Sequence, residues 1–163
     1  MHRYTVTVFG VICFSFFVGF VQNLPAQEVL EERIVITIEN KSFEVELYDT
    51  AASRSLLKAL PQTIGMTRWG DGEYYGKISK NIDYQDDTLR EVFEVGEVAL
   101  YPAGFFRPSG NALCIFFGPT PSSKADEPRM AAEGAPFGRI QGDVSVFKTY
   151  AKSLENVTVT LKQ

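Results

Sequence analysis

A guanidinium, two carboxylates and three aromatic rings fall close together in the segment Arg68-Trp69-Gly70-Asp71-Gly72-Glu73-Tyr74-Tyr75. Such a segment has donors, acceptors and π faces, but no nucleophile beside a base. It suits recognition: a concave, mostly apolar site carrying a few polar groups is the usual form of a binding pocket. Other stretches carry groups of the same kind. Tyr101 precedes a Gly/Pro loop, Phe105 and Phe106 lie within it, Asn111 opens an apolar run, and Phe116 stands near the end of that run. The candidate binding residues are therefore Arg68, Trp69, Glu73, Tyr75, Phe105, Phe106, Asn111 and Phe116. Each also has a structural reading. Arg68 can pair with Glu73 or Asp71, and large aromatic rings fill cores. Phe105 and Phe106 cannot both face a core easily. Exposed, they would mark a ligand or partner surface.

Other chemistries lack their residues. The single His is at position 2, and the two Cys are at positions 13 and 114. Cys114 sits inside an apolar run and reads as a small core hydrophobe. Ser and Asp are present, but no His base accompanies them, so hydrolase chemistry has no support. No His/Cys cluster exists, and Asp83, Asp86 and Asp87 lack the spacing of a calcium loop. That acidic run reads as a solvated face. No metal and no cofactor is expected. Asn40-Lys41-Ser42 and Asn156-Val157-Thr158 match the glycosylation sequon, a pattern short enough to arise by chance.

The N-terminus begins Met1-His2-Arg3 and continues with an uncharged apolar run from Val6 to Val21. Asn23-Leu24-Pro25-Ala26 follows. A basic start, an apolar stretch and a small residue after a helix breaker describe a signal peptide over residues 1–26. Cleavage is expected after Ala26. The alternative is an uncleaved membrane anchor, although the run is short against the ~20 residues a span needs. Either way the remaining domain is expected outside the cytoplasm, secreted or periplasmic. Removing 26 of 163 residues leaves 137, enough for one domain with one core. It also removes His2, Arg3 and Cys13, leaving 15 basic against 20 acidic residues. That balance argues against nucleic acid, whose phosphates demand basic patches.

Short strands must position the candidate residues. Arg33 to Ile38 is β-rich, and Ser42 to Leu47 alternates polar and apolar, so these two form a hairpin with Phe43, Val45 and Leu47 inward. Asp49 or Thr50 caps a helix that Pro61 ends. Thr63 to Trp69 and Glu73 to Ile78 flank the turn Gly70-Asp71-Gly72. Val92 to Val95 and Val98 to Tyr101 are extended. Ala112 to Phe117 is an unbroken apolar run between Gly110-Asn111 and Gly118-Pro119, the pattern of a strand buried on both faces. Ser122 to Pro136 reads as loop. Phe137 to Asp143 is a short strand and turn. Asp143 caps a second helix over Val144 to Leu154, and Glu155 to Lys162 is the last strand, expected near the first. Strands in runs, rather than alternating with helices, argue for a mainly β fold. The expectation is a closed antiparallel barrel of about eight strands with two capping helices.

Two segments resemble the cyclophilin fold. Phe137-Gly138-Arg139-Ile140-Gln141-Gly142-Asp143-Val144 is similar to the segment leading into the last cyclophilin helix, and Asn111 to Phe117 resembles its buried Phe-Phe strand. The chain from 33 to 162 resembles more closely the small prokaryotic cyclophilin-like proteins. It shares with them Leu60-Pro61, Arg68-Trp69-Gly70-Asp71 followed by tyrosines, the run Asn111 to Pro121, and the Gly-Arg-Ile-x-Gly-Asp end. The resemblance implies a cyclophilin-like barrel over residues 27–163. It also implies what a prolyl isomerase would need: an Arg weakening the amide resonance behind a barrier near 20 kcal/mol, a Phe floor, and a Trp and a His at the rim. Arg68 matches the Arg, and Phe116 or Phe117 the floor. Gly134 stands where the His belongs, and Arg129 and Met130 stand near the place of the Trp. The expected function is thus a groove beside Arg68 and Phe116 that binds a small molecule or extended peptide without efficient catalysis. The alternative is a divergent peptidyl-prolyl isomerase with Arg68 catalytic. The sequence leaves the oligomeric state open, and a membrane enters only through an uncleaved leader.

Overall fold

The computed structural model describes residues 27–103 and 110–163. The expected leader (residues 1–26) and the loop aromatics Phe105 and Phe106 lie outside them. Among the described residues, no helix is long and apolar enough to cross a membrane.

Strand β1 (Val29–Ile38) runs into β2 (Lys41–Tyr48) through a turn at Glu39-Asn40. They pair antiparallel, with Ile34 opposite Val45 and Ile36 opposite Phe43. The period-two pattern decides their inner face: Ile34, Ile36, Ile38, Val45 and Leu47 are all buried. Helix α1 (Ala51–Ala59) follows. Thr50 is its N-cap, and its side chain accepts from Ser53 N at 3.1 Å. A second cap comes from far along the chain. The Asp87 carboxylate accepts from Ala51 N at 2.7 Å and Ala52 N at 2.9 Å. These are two of the donors that a helix N-terminus leaves without intrahelical partners. Asp87 therefore caps a helix as well as lying in the acidic surface run.

Strands β3 (Gln62–Trp69), β4 (Glu73–Lys77), β5 (Arg90–Val92), β6 (Glu97–Tyr101), β7 (Ala112–Phe116), β8 (Arg129–Ile140) and β9 (Ser153–Leu161) complete the fold. The sheet order is β2-β1-β9-β3-β4-β7-β6-β8-β5, and a further β2–β8 pairing closes it. Eight strands form the closed antiparallel barrel, and β5 lies outside it against the first half of β8. Closure brings Leu47 opposite Gly138. A Cβ on Gly138 would sit 2.1 Å from the Glu46 carbonyl oxygen, so only glycine lets the strands meet there. The last strand does pair with the first, with Ile36 opposite Val159.

Two expectations are corrected. Only α1 is an α-helix among the described residues; the second expected capping helix is a 3₁₀ turn over Ser145–Thr149. The Asp143 side chain accepts from Ser145 N and Ser145 Oγ, a local turn that competes with helix growth. Val144 and Val146 are β-branched and disfavour helix, and Ser153 already starts β9. Phe147 still points inward. It packs on Phe43 at 4.7 Å, Phe117 at 5.8 Å and Tyr74 at 6.4 Å between ring centroids. The second correction concerns Arg129 to Pro136, which is strand rather than loop. Its Pro136 faces Ala99 at a register shift in β6, where a missing amide donor is tolerated.

Replacing Asp87 by Ala is expected to lower the unfolding free energy in urea by about 1–2 kcal/mol through loss of the distant helix cap. An unchanged denaturation midpoint would show that water substitutes for the carboxylate.

Candidate functional site

Strand β7 is buried on both faces, and the two faces do different things. Leu113 and Ile115 enter the barrel interior with Tyr74, Val98, Leu100 and Phe137. Cys114 and Phe116 point outward, into a second cluster with Phe93, Ala99 and Met130. Half-buried Tyr75 and Tyr101 pack at its margin. The register explains the grouping. Glu73 lies opposite Phe116, Tyr75 opposite Cys114, and Cys114 opposite Ala99. Cross-strand partners share a face, so β4, β7 and β6 present these side chains together.

A pocket of about 160 Å³ opens on this outer face, lined by Trp69, Glu73, Tyr75, Tyr101, Cys114, Met130 and Ala131. Trp69 joins from β3, where it lies opposite Glu73. Met130 and Ala131 come from the outer half of β8. The volume matters. An engineered cavity of about 150 Å³ holds one benzene ring, whereas drug-sized ligands occupy roughly 300–1,000 Å³. This pocket therefore admits one small group.

The covering half of β8 is held by β5 and a polar latch. Glu97 is 3% exposed. Its carboxylate accepts from Arg90 at 2.7 Å, Tyr48 Oη at 2.9 Å and Glu94 N at 2.7 Å. The Arg90 guanidinium also lies 4.6 Å from the Phe93 ring centroid. Phe93 in turn stacks on Phe116 at 4.7 Å and donates its N–H to Pro128 O. Burial raises the Tyr48 phenol pKa, so the phenol stays a donor to Glu97. Arg129, at the start of β8, pairs with Glu91 at 2.6 Å and Glu127 at 3.1 Å. The Lys124 amide, with further help from the Arg129 and Ala125 donors, lowers the Glu127 carboxyl to about 2.

The structure separates the candidate residues into groups. Trp69, Glu73 and Tyr75 come together in the pocket. Phe116 lies beneath the same face, wholly buried under Phe93. Arg68 is elsewhere. It pairs across the strands with Tyr74, the inward-facing neighbour, so its side chain leaves β3 on the face opposite Trp69. There it donates to the Lys148 carbonyl at 3.1 Å. Neither Glu73 nor Asp71 forms an ion pair with it. Tyr74 beside it donates to Ala151 O, and burial raises its phenol pKa. Asn111 sits at the far end of β7. Its Oδ1 accepts from Ala103 N at 2.7 Å, which joins the two described chain ends flanking residues 104–109.

Four lining residues escape a reading by motif: Tyr101, Cys114, Met130 and Ala131. Alternation of the Ala112 to Phe117 run does place Cys114 and Phe116 on one face. Nothing in that run says that the face borders a cavity. Among the described residues, no group of three or more His, Cys, Asp or Glu side chains is placed to hold a metal ion.

A cyclophilin-like family model matches residues 32–160. A search among curated proteins returned no match. Among solved structures, the chain is similar to a hypothetical protein from Archaeoglobus fulgidus known from its solution structure. The two share 32% identity at a TM-score of 0.62, over 83% of this chain and 98% of that one.

Two outcomes follow from the latch and its flanking loop. Arg90→Met is expected to cost about 1–3 kcal/mol in chemical denaturation, because it removes a charged donor from a buried carboxylate that keeps its other partners. A loss within error would show that Tyr48 and the Glu94 amide suffice. For Glu127 the folded pKa lies below its ordinary value of 4.5, so its stabilisation is complete above that pH and is lost as pH falls toward about 2. Thermal midpoints measured across that window are expected to fall less steeply in Glu127→Gln than in the parent chain. Equal slopes would place the acid sensitivity elsewhere.

Proposed function

The chain belongs to the cyclophilin-like family, and on that premise we propose that it is an exported binding domain without efficient catalysis. It takes one small group of a small-molecule or extended-peptide ligand into the Trp69–Glu73–Tyr75 pocket. The observation that carries this reading is the pocket itself, an aromatic recess of one-ring size on the outer barrel face. Export rests on the leader pattern in residues 1–26. The binding residues move accordingly. Trp69, Glu73, Tyr75 and Tyr101 contact the ligand, Phe116 supports the floor from beneath, and Arg68 has no part in the pocket.

Two features favour binding over prolyl isomerisation. An isomerase needs a cationic donor over the prolyl nitrogen to weaken amide resonance. The described lining has no arginine, and Arg68 is turned to the opposite face. Gly134, aligned by resemblance with the cyclophilin His, also has no room for a side chain. A Cβ there would lie 2.4 Å from Leu100 O and 2.6 Å from Met130 Sδ. The competing reading, a divergent peptidyl-prolyl isomerase, retains only the family's fold in its favour, and fold alone does not assign activity.

Trp69 is the only tryptophan in the chain, so its emission reports occupancy directly. Titration with p-cresol is expected to give a saturable emission change, abolished in Ala131→Phe, whose ring closes the pocket mouth. A proline-containing tetrapeptide is expected to isomerise at its uncatalysed rate in the presence of the protein. Absence of a saturable change would overturn the pocket reading. Acceleration that Arg68→Ala removes would establish the isomerase instead.

A further inference from the structure

The β8 wall of the pocket is irregular. Between the pairs Val92–Arg129 and Arg90–Gly134, β5 advances by two residues while β8 advances by five. The surplus is a bulge in β8 over residues 130–133, and it carries both β8 residues of the lining, Met130 and Ala131. A β-bulge leaves residues out of the ladder, bends its strand and re-aims a side chain, and bulges are over-represented beside functional sites.

The re-aimed side chain here is Met130. In a regular strand, residues four apart are separated by ~13 Å, beyond the reach of one side chain. Met130 nevertheless lies over Gly134: a Cβ on that glycine would come 2.6 Å from Met130 Sδ and 2.8 Å from Met130 Cε. The bulge shortens the path, and the glycine leaves room for the thioether. Met130 is 2% exposed and serves two structures at once. It lines the pocket, and it packs in the outer cluster with Phe93 and Phe116, whose rings stack at 4.7 Å. The large rings of the lining, Trp69, Tyr75 and Tyr101, stand on β3, β4 and β6, where pairing within the closed barrel fixes their register. Met130 has no ladder partner among the described residues. Its side chain is also unbranched and flexible, the kind that fills irregular gaps and adapts to what lies against it.

Resting on the pocket reading above, we infer that Met130 is the specificity-determining residue of the pocket. Its thioether, placed by the β8 bulge, limits the bound group to a single ring. The volume of about 160 Å³ has no space for a second fused ring while Met130 is in place. Truncating Met130 opens the recess toward the Phe93–Phe116 stack, an apolar surface on which a second ring can lie.

The test is isothermal titration of p-cresol and of 2-naphthol, which adds one fused ring, into the full chain. The parent is compared with Met130→Ala, Met130→Val and Met130→Leu. The parent is expected to bind p-cresol at least roughly tenfold more tightly than 2-naphthol, the discrimination an apolar wall supplies against a few extra carbons. Met130→Ala is expected to reverse that order. Met130→Val removes less packing and is expected to shift the ratio in the same direction, so the inference stays testable if the alanine variant does not fold. Met130→Leu, of similar volume, is expected to keep the order of the parent. A loss of stability alone weakens both probes together and leaves their ratio unmoved. An unchanged ratio in Met130→Ala and Met130→Val, or equal binding of the two probes by the parent, would overturn the inference and leave the pocket reading standing. Failure of the parent to bind either probe would overturn both.

Discussion

The fold depends on one strand being covered twice. Every residue of β7 is buried, which no single sheet face can provide. Closing the barrel covers Leu113 and Ile115 from within. Covering Cys114 and Phe116 from without requires a separate layer, and the chain supplies it with Phe93 and Met130. Burial of large aromatic and aliphatic side chains is the dominant favourable term, so both layers are needed. The barrel alone would leave an apolar stripe on its surface.

The outer layer explains why a pocket exists there at all. A sheet face packed by another full sheet closes completely. Among the described residues, the cover here is β5, Phe93 and the first half of β8. Tyr75 and Glu73 therefore line a recess between the cover and the barrel wall. The cover is tied down by polar contacts at its edge, with Glu97 gathering Arg90, Tyr48 and the Glu94 amide. A buried carboxylate with three donors is satisfied, and that is the condition under which it can be buried. The device that holds the core together thus also shapes the wall of the site. Substitutions in the latch are expected to act on stability and on the pocket together.

The family's fold is retained, with local departures in detail. At Gly134 the barrel brings the backbone of Leu100 and the sulfur of Met130 so close that no side chain fits. The arginine of the β3–β4 hairpin serves the opposite face, where it steadies the 3₁₀ turn through the Lys148 carbonyl. On the outer face, the described residues Trp69, Glu73, Tyr75 and Tyr101 line the recess beside Cys114 and Met130.

Much of this was legible in the linear sequence. Period-two alternation in Ser42 to Leu47, the turn Gly70-Asp71-Gly72 and the unbroken run Ala112 to Phe117 identify strands through local stereochemistry alone. Thr50 as a helix cap is local in the same way. The misread elements failed because tertiary contacts outweighed local preference. Arg129 to Pro136 carries Gly and Pro yet is drawn into a strand by pairing with β5 and β6. Asp87 looks like a solvated acid until it meets the helix end that needs it. The candidate site divides along the same line. Adjacency in the chain already sets Arg68 and Trp69 on opposite faces of one strand, because successive side chains alternate. Which of those faces lies inside, and which borders a recess, is a property of the closed barrel and its partial cover, and only the tertiary structure decided it.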